Sequence, residues 1–263
     1  MNTLDIFGRS IPIYGILGAV GFFCGVLYLV VRLRNWEKIE NCLYIMAFAG
    51  VGAMLGAKIV YILVSIEDIA ATFRAAAENA IPYWKVILIF IKGGFVFYGG
   101  LIGAIVAAEL TIKYFGLEKK RYLSYVFPCL PLIHGFGRIG CYLVGCCYGC
   151  SLTEGVGSHL LSVTYTDSVY APNGEALFAV QLLEAIIEFL LFTVFVIMSI
   201  KGISGQRMIW IYFIAYSACR FVLEFYRGDL ARGIWGNFST SQWIALILIA
   251  YGTMRLIRDK KAA

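Results

Sequence analysis

The sequence predicts an all-α, polytopic membrane protein with seven transmembrane helices, its N-terminus outside and its C-terminus cytoplasmic. Three observations carry this expectation. Of 263 residues, 61% are hydrophobic and 14% charged, whereas a soluble domain is about half apolar and roughly a quarter charged. Apolar runs long enough for the ~20 helical residues that cross a bilayer recur along the chain. Basic residues collect between the runs, and across seven spans they fall on one side, which is then cytoplasmic. Because these charges flank the spans, the net charge of +6 reads as an orientation signal and as lipid-headgroup contacts. A bilayer is the expected partner, and no nucleic acid.

The first run, Ile11 to Val31, is free of charge, spans by itself and shows no small-residue cleavage pattern. Tyr14 and Gly15 lie near its start. A second span runs from about Cys42 to Ile66, with Lys58 inside it and Gly52 and Gly56 able to admit another helix closely. Residues 67–92 are mixed, and the apolar piece Val86 to Ile91 is too short to cross, so this is an external or re-entrant segment. Phe95 to Ile112 is the third span. The fourth starts at Tyr122 and carries Pro128 and Pro131, which should kink or break it. Residues 151–174 read as an external loop. The fifth span, Ala176 to Ile200, sets Gln181, Glu184 and Glu188 on one face. The sixth, Met208 to Tyr226, does so with Arg220, Glu224 and, at its end, Arg227. The seventh is Ser239 to Met254, followed by a basic tail. Residues 1–263 form a single transmembrane domain on this reading.

Between the fourth and fifth spans lies HGFGRIGCYLVGCCYG, His134 to Gly149. Its glycines are too many for a stable helix interior, so the expected backbone turns and presents N–H groups beside Arg138, a seat for a lipid phosphate. The alternative is an irregular loop whose arginine pairs with a helix carboxylate. Charges inside spans are expensive, so Lys58, Glu184, Glu188, Arg220 and Glu224 each need a partner or a task. Arg220 and Glu224, four apart, can pair with each other. Arg138, Arg220 and Arg227 lie toward the outer side and can surround one anionic headgroup. His134 is either a proton acceptor or a helix-end packing residue, and His159 falls in the loop. Cys141, Cys146, Cys147 and Cys150 form C-x4-C-C-x2-C, a poor match to paired zinc knuckles. A disulfide and small-residue packing both stay open for them, and no metal is assigned. Nucleophile-elbow, P-loop and H-E-x-x-H patterns are absent.

These residues resemble the prolipoprotein diacylglyceryl transferases, seven-span enzymes of bacterial inner membranes. GRIG at Gly137 to Gly140 is similar to the opening of the family's arginine-glycine motif, and Gly145 and Gly149 continue its spacing. GGFVFYGGLIG, Gly93 to Gly103, is similar to its G-G-x-x-x-H-G-G-L-x-G element. Tyr14-Gly15, Gln181 with Glu184, and RFVLEFYRGD from Arg220 to Asp229 match further segments in the family's order. The resemblance implies transfer of the diacylglyceryl group of phosphatidylglycerol to the thiol of a lipobox cysteine in a prolipoprotein signal peptide. Glycerol phosphate leaves, no cofactor is needed, and the enzyme is a multi-pass protein of the cytoplasmic membrane. It further implies catalytic roles for Arg138 and Arg220; because the family's histidine is missing, His134, four residues before Arg138, is the candidate catalytic base, with Tyr98 hydrogen-bonding the reacting centre. Lipid would be bound by Tyr14, Gly99, Gly100, Arg138, Gly140, Gln181, Glu184, Glu224 and Arg227. The sequence departs from the pattern at Tyr98, where the family has a histidine, at Cys141 for asparagine and at Cys146 for glutamate. It therefore reads as a divergent, cysteine-rich member. A thiol-disulfide redox membrane protein, a transporter and a lipid-binding transferase with another acceptor are the competing readings.

Overall fold

The computed structural model describes residues 3–6, 9–152, 161–229 and 233–261. The chain is mostly helical. Among the described residues, six helical stretches are long and apolar enough to cross a membrane: Ile13–Leu33, Trp36–Val64, Lys119–Val144, Val180–Ile200, Gly205–Tyr226 and Thr240–Asp259. Among the described residues, three short antiparallel strand pairs qualify the all-α expectation. They are β1 (Thr3–Ile6) with β2 (Arg9–Pro12), β3 (Ser162–Thr164) with β4 (Ala176–Phe178), and β5 (Ile234–Trp235) with β6 (Phe238–Ser239). Ala176, expected to open the fifth span, is therefore in a strand. The loop expected at 151–174 contains β3, and its residues 153–160, His159 among them, lie outside the described residues.

Two compact units form, Met1–Arg34 with Lys120–Ala263, and Asn35–Lys119. The smaller contains α2 (Trp36–Val64), α3 (Ile66–Glu78), α4 (Tyr83–Lys92) and α5 (Phe97–Tyr114). Asn35 starts α2 by accepting a hydrogen bond from the Lys38 N–H at 3.1 Å. The segment expected to be external or re-entrant is two helices, α3 and the 10-residue α4. At 1.5 Å per residue α4 is about 15 Å long, half a hydrocarbon core. Lys58, the isolated charge of the second span, ends α4: its Nζ donates to the carbonyls of Phe90 and Gly93, both at 2.5 Å, and of Gly94 at 3.3 Å. The rings of Tyr61 and Phe95 flank the ammonium at 5.0 and 4.8 Å.

α2 and α5 meet backbone to backbone. A Cβ on Gly56 would collide with the Gly99 carbonyl and one on Gly99 with that of Gly56, while Gly52 and Gly103 stand in the same reciprocal relation. In lipid, where apolar surfaces gain nothing by leaving the solvent, close approach of this kind is what holds helices together. Gly99 thus has a packing role, and Gly100 faces Ala53 and Ala57 beside it. Gly99→Val is expected to separate the pair and lower the thermal unfolding midpoint in detergent; an unchanged midpoint would mean the seam carries no stability.

The larger unit contains α1 (Ile13–Leu33), α6 (Lys119–Val126), α7 (Cys129–Val144), α8 (Val180–Ile200), α9 (Gly205–Leu223) and α10 (Thr240–Lys261). The predicted break in the fourth span falls between α6 and α7, where Pro128 caps α7 and Pro131 occupies its first turn. A missing N–H costs nothing there, because no intrahelical acceptor exists for it. The expected irregular loop from His134 is not found. Its first eleven residues are the body of α7, whose N–H groups are engaged in the helix, and the chain turns only after it, with Gly145 at φ +82° and Cys147 at φ +59°. The glycines are there for neighbours: Gly135 accommodates the Phe189 ring of α8, and Gly140 lies against Tyr14 of α1. From the other side, Gly21 of α1 receives Phe136 and Ile133. Phe195, Met208 and Tyr212 make a buried core between α8 and α9.

Candidate functional site

Three polar stripes face one another in the larger unit, each generated by helical spacing. On α7 they are His134, Arg138 and Cys141; on α8, Gln181, Glu184 and Glu188; on α9, Tyr212, Tyr216 and Arg220, continued by Glu224 in the 3-10 turn Glu224–Tyr226. The carboxylates of Glu184 and Glu188 are 1% and 0% exposed. Burying a carboxyl group without hydrogen-bonding or charged partners is costly, and each of these has partners.

Glu184 joins three helices. Its Oε1 is 3.0 Å from Arg138 Nη2 and accepts the Tyr216 hydroxyl hydrogen bond at 2.7 Å, while Oε2 is 3.8 Å from Arg220 Nη1. Arg220 Nη2 pairs with Glu224 at 2.7 Å. The expected pair between Arg220 and Glu224 thus exists, but Arg220 is shared with Glu184 rather than consumed by it. Two donors of this cluster, Arg138 Nε and Arg220 Nη1, are buried without a hydrogen-bond partner. Nearly all buried polar atoms in native proteins are hydrogen-bonded, so guanidinium donors left open on both sides of Glu184 are able to take an anion.

Below it, Glu188 holds His134. His134 Nδ1 is 2.7 Å from Glu188 Oε1 and 3.2 Å from the Tyr212 hydroxyl, which itself donates to Glu188 at 3.0 Å. The imidazole stands edge-on to Tyr216 at 5.2 Å. A carboxylate on Nδ1 fixes the ring and leaves Nε2 to exchange a proton, the arrangement general bases use.

Tyr14 lies along α7 over Gly137 and Gly140 and is half exposed. Gln181 donates to the Cys146 carbonyl at 2.9 Å, tying α8 to the turn after α7. Arg227 departs from the expected trio, since its guanidinium makes a bidentate pair with Asp229 at 2.8 and 2.5 Å. Burial pulls its proton affinity down, and the Asp229 bonds and the nearby Cys147 more than restore it, so Arg227 stays charged. Tyr98, Gly99 and Gly100 belong to the smaller unit, and the structure describes the backbone of Tyr98 but not its side chain.

None of the eight cysteines is bridged in this structure. Three of the four clustered ones converge: the Sγ atoms of Cys141, Cys146 and Cys147 all lie within 4.8 Å of one another. Hydrogen bonds from Cys141 and Cys146 hold the Cys147 thiol well below its ordinary range. Burial opposes this, and the charges of Arg227 and Arg138 add to it.

Glu188, Tyr212, Tyr216 and Asp229 were not among the predicted site residues. The stripe 212, 216, 220, 224 is present in the sequence at strict four-residue spacing and is the signal that would have found the tyrosines.

A family model described as prolipoprotein diacylglyceryl transferase matches residues 2–258. The phosphatidylglycerol-prolipoprotein diacylglyceryl transferase of Clostridium tetani (strain Massachusetts / E88) is 34% identical over 249 residues, covering 94% of this chain and 93% of its own. The second such transferase of Clostridium perfringens (strain 13 / Type A) is 32% identical over 261 residues, covering 95% and 91%. That of Wigglesworthia glossinidia brevipalpis is 27% identical over 267 residues, covering 94% and 91%. With the match running through all three polar stripes and almost end to end, the chain belongs to the prolipoprotein diacylglyceryl transferase family.

Proposed function

We propose that this protein transfers the diacylglyceryl group of phosphatidylglycerol to the thiol of a lipobox cysteine in a prolipoprotein signal peptide, releasing glycerol phosphate. The observation that carries the reading is the Glu184 junction, which gathers Arg138 and Arg220 and leaves one buried donor on each without a hydrogen bond. Glu184 and Glu224 balance the two guanidiniums before lipid arrives, so the cations are held at depth without a net buried charge. The lipid phosphate then takes the Nε and Nη1 donors, and the charge that grows on the departing glycerol phosphate is met by groups already in place. Tyr14, Gly140 and Gln181 border this position, and Arg227 with Asp229 closes its outer end.

The thiol must lose its proton to become a nucleophile. His134, oriented by Glu188, is the base on this reading, with Tyr98 standing where the family's histidine would be. His134→Gln should lower turnover about 10²-fold or more, the usual contribution of a positioned base, while lipid binding is retained. A variant with normal turnover would make His134 a packing residue.

The same reading places the protein across the bacterial cytoplasmic membrane. Counting α5, whose 18 residues are about 27 Å long, gives seven spans. Arg32, Lys119, Lys201 and Arg258 then share the cytoplasmic side, and the N-terminus and the turn after α7 face outward. Residues 1–263 act as a single transmembrane domain, with 67–92 external or re-entrant and 151–174 an outer loop.

The test is reconstitution into phosphatidylglycerol vesicles with a lipobox-cysteine peptide. A mass gain of one diacylglyceryl group on the cysteine, absent from a cysteine-to-serine peptide, is expected. No gain with folded protein and accessible peptide overturns the reading.

A further inference from the structure

Cys141, Cys146 and Cys147 come from one short stretch, but it is the backbone that brings their sulfurs together. Cys141 is on the last turn of α7, three residues after Arg138 on the same face. The helix ends at Gly145, at φ +82°, whose N–H bonds the Cys141 carbonyl at 2.9 Å and so turns the chain back over that residue. Cys147 is itself in the left-handed region, at φ +59°, an uncommon and unfavourable conformation for a residue with a side chain. The turn is held in place from outside. Gln181 donates to the Cys146 carbonyl, Gly228 donates to that of Tyr148 at 3.0 Å, and Cys150 donates to that of Tyr226 at 2.8 Å.

The result is three Sγ atoms within 4.8 Å of one another. Thiolates on one tetrahedral zinc ion, at metal–sulfur distances near 2.3 Å, lie about 3.8 Å apart, within reach of small side-chain rotations here. Thiolate sulfur selects soft or borderline cations, and three protein ligands with a fourth position free is the form of a reactive zinc site rather than a closed structural one. Three thiolates on a divalent ion carry one net negative charge, and the charges of Arg138 and Arg227 both act on this group.

We propose that Cys141, Cys146 and Cys147 bind one zinc ion, or a cation of similar softness, and that its open position takes the acceptor cysteine thiol. A metal-bound thiol is deprotonated outright near neutral pH. Its proton goes to water or to His134. The thiolate then attacks the glyceryl carbon, the new C–S bond forms as the C–O bond to phosphate breaks, and the electron pair leaves with glycerol phosphate. No oxidant or reductant is involved. The role of the open position rests on the diacylglyceryl-transfer reading, whereas metal binding does not.

The experiment uses the full chain in detergent or nanodiscs, stripped with chelator and titrated with Co²⁺. One cobalt per chain is expected, with thiolate-to-cobalt absorption in the near ultraviolet and tetrahedral bands in the visible. Both should vanish in Cys146→Ser and Cys147→Ser and persist in Cys24→Ser. A lipobox-cysteine peptide should shift the visible bands and its serine analogue should not. Transfer should fall about a hundredfold on chelation, the scale of a lost proton acceptor, and return with Zn²⁺. Because stripping and reloading are done on the unmodified chain, misfolding of a cysteine variant cannot produce this result. Absence of stoichiometric cobalt binding overturns the site. Bands blind to the peptide, or transfer indifferent to chelation, overturn the role of the open position. Cobalt bound and bands shifted with no diacylglyceryl transferred overturns the transfer reading and leaves the metal site standing.

Discussion

Glu184→Leu should cost about 3–5 kcal/mol of stability, because removing one partner of a buried ion pair strands the other, and it should abolish transfer. Here Arg138, 3.0 Å away, loses its carboxylate and the Tyr216 hydroxyl its acceptor, while Arg220 loses the longer contact at 3.8 Å and keeps Glu224 at 2.7 Å. Thermal unfolding in detergent reads the first effect and vesicle turnover the second. Glu184→Gln should fall between, since the amide oxygen can still accept the Tyr216 hydrogen bond without balancing either guanidinium. A Glu184→Leu chain with unshifted unfolding and normal turnover would mean that the arginines find other anions and that the junction is incidental.

Arg138→Lys keeps the charge and should still lower turnover about 10²–10³-fold, the cost of losing one donor aimed at developing charge. Lysine has no planar fork, so a single ammonium cannot both reach Glu184 as Nη2 does and offer the Nε donor to phosphate. The loss should appear in kcat more than in lipid affinity, because the phosphate gains most charge as the C–O bond breaks. Arg227→Lys should be milder, as its fork is already occupied by Asp229. Wild-type turnover by Arg138→Lys, measured on chains with unchanged helix content, would remove Arg138 from the phosphate.

Six of the seven expected spans were legible in the sequence because bilayer thickness imposes a length and an apolarity that few other structures share. The polar face of α8 was legible for the same kind of reason: Gln181, Glu184 and Glu188 follow the helical period in a segment otherwise without charge. The glycine run was misread. Glycine is a poor helix former in water, but Gly135 and Gly140 are selected by the rings of Phe189 and Tyr14, and a partner helix is invisible in a single strand of sequence. Lys58 was correctly flagged as needing a task, yet its acceptors are carbonyls more than thirty residues away, which no spacing rule encodes. The convergence of the cysteine trio was not legible, because Gly145 and the left-handed Cys147 create it and no sequence spacing encodes it.

The seam between α2 and α5 has an evolutionary consequence. At Gly52, Gly56, Gly99 and Gly103 a carbonyl oxygen of the opposite helix blocks a larger side chain in each case, joined by Ala107 Cβ at Gly52 and by the Val60 side chain at Gly99. A side chain that clashes with another side chain can be rescued by trimming its partner, but a carbonyl is common to all twenty residues and cannot be trimmed. No second-site change across the seam compensates for a first, so the four positions cannot drift by paired steps. Their neighbours Met54, Leu55, Ile59, Ile102 and Ile105 are exposed and can exchange one apolar residue for another without consulting a partner. Divergence along these two helices is therefore confined to their outer faces, and the register of the pair is inherited unchanged.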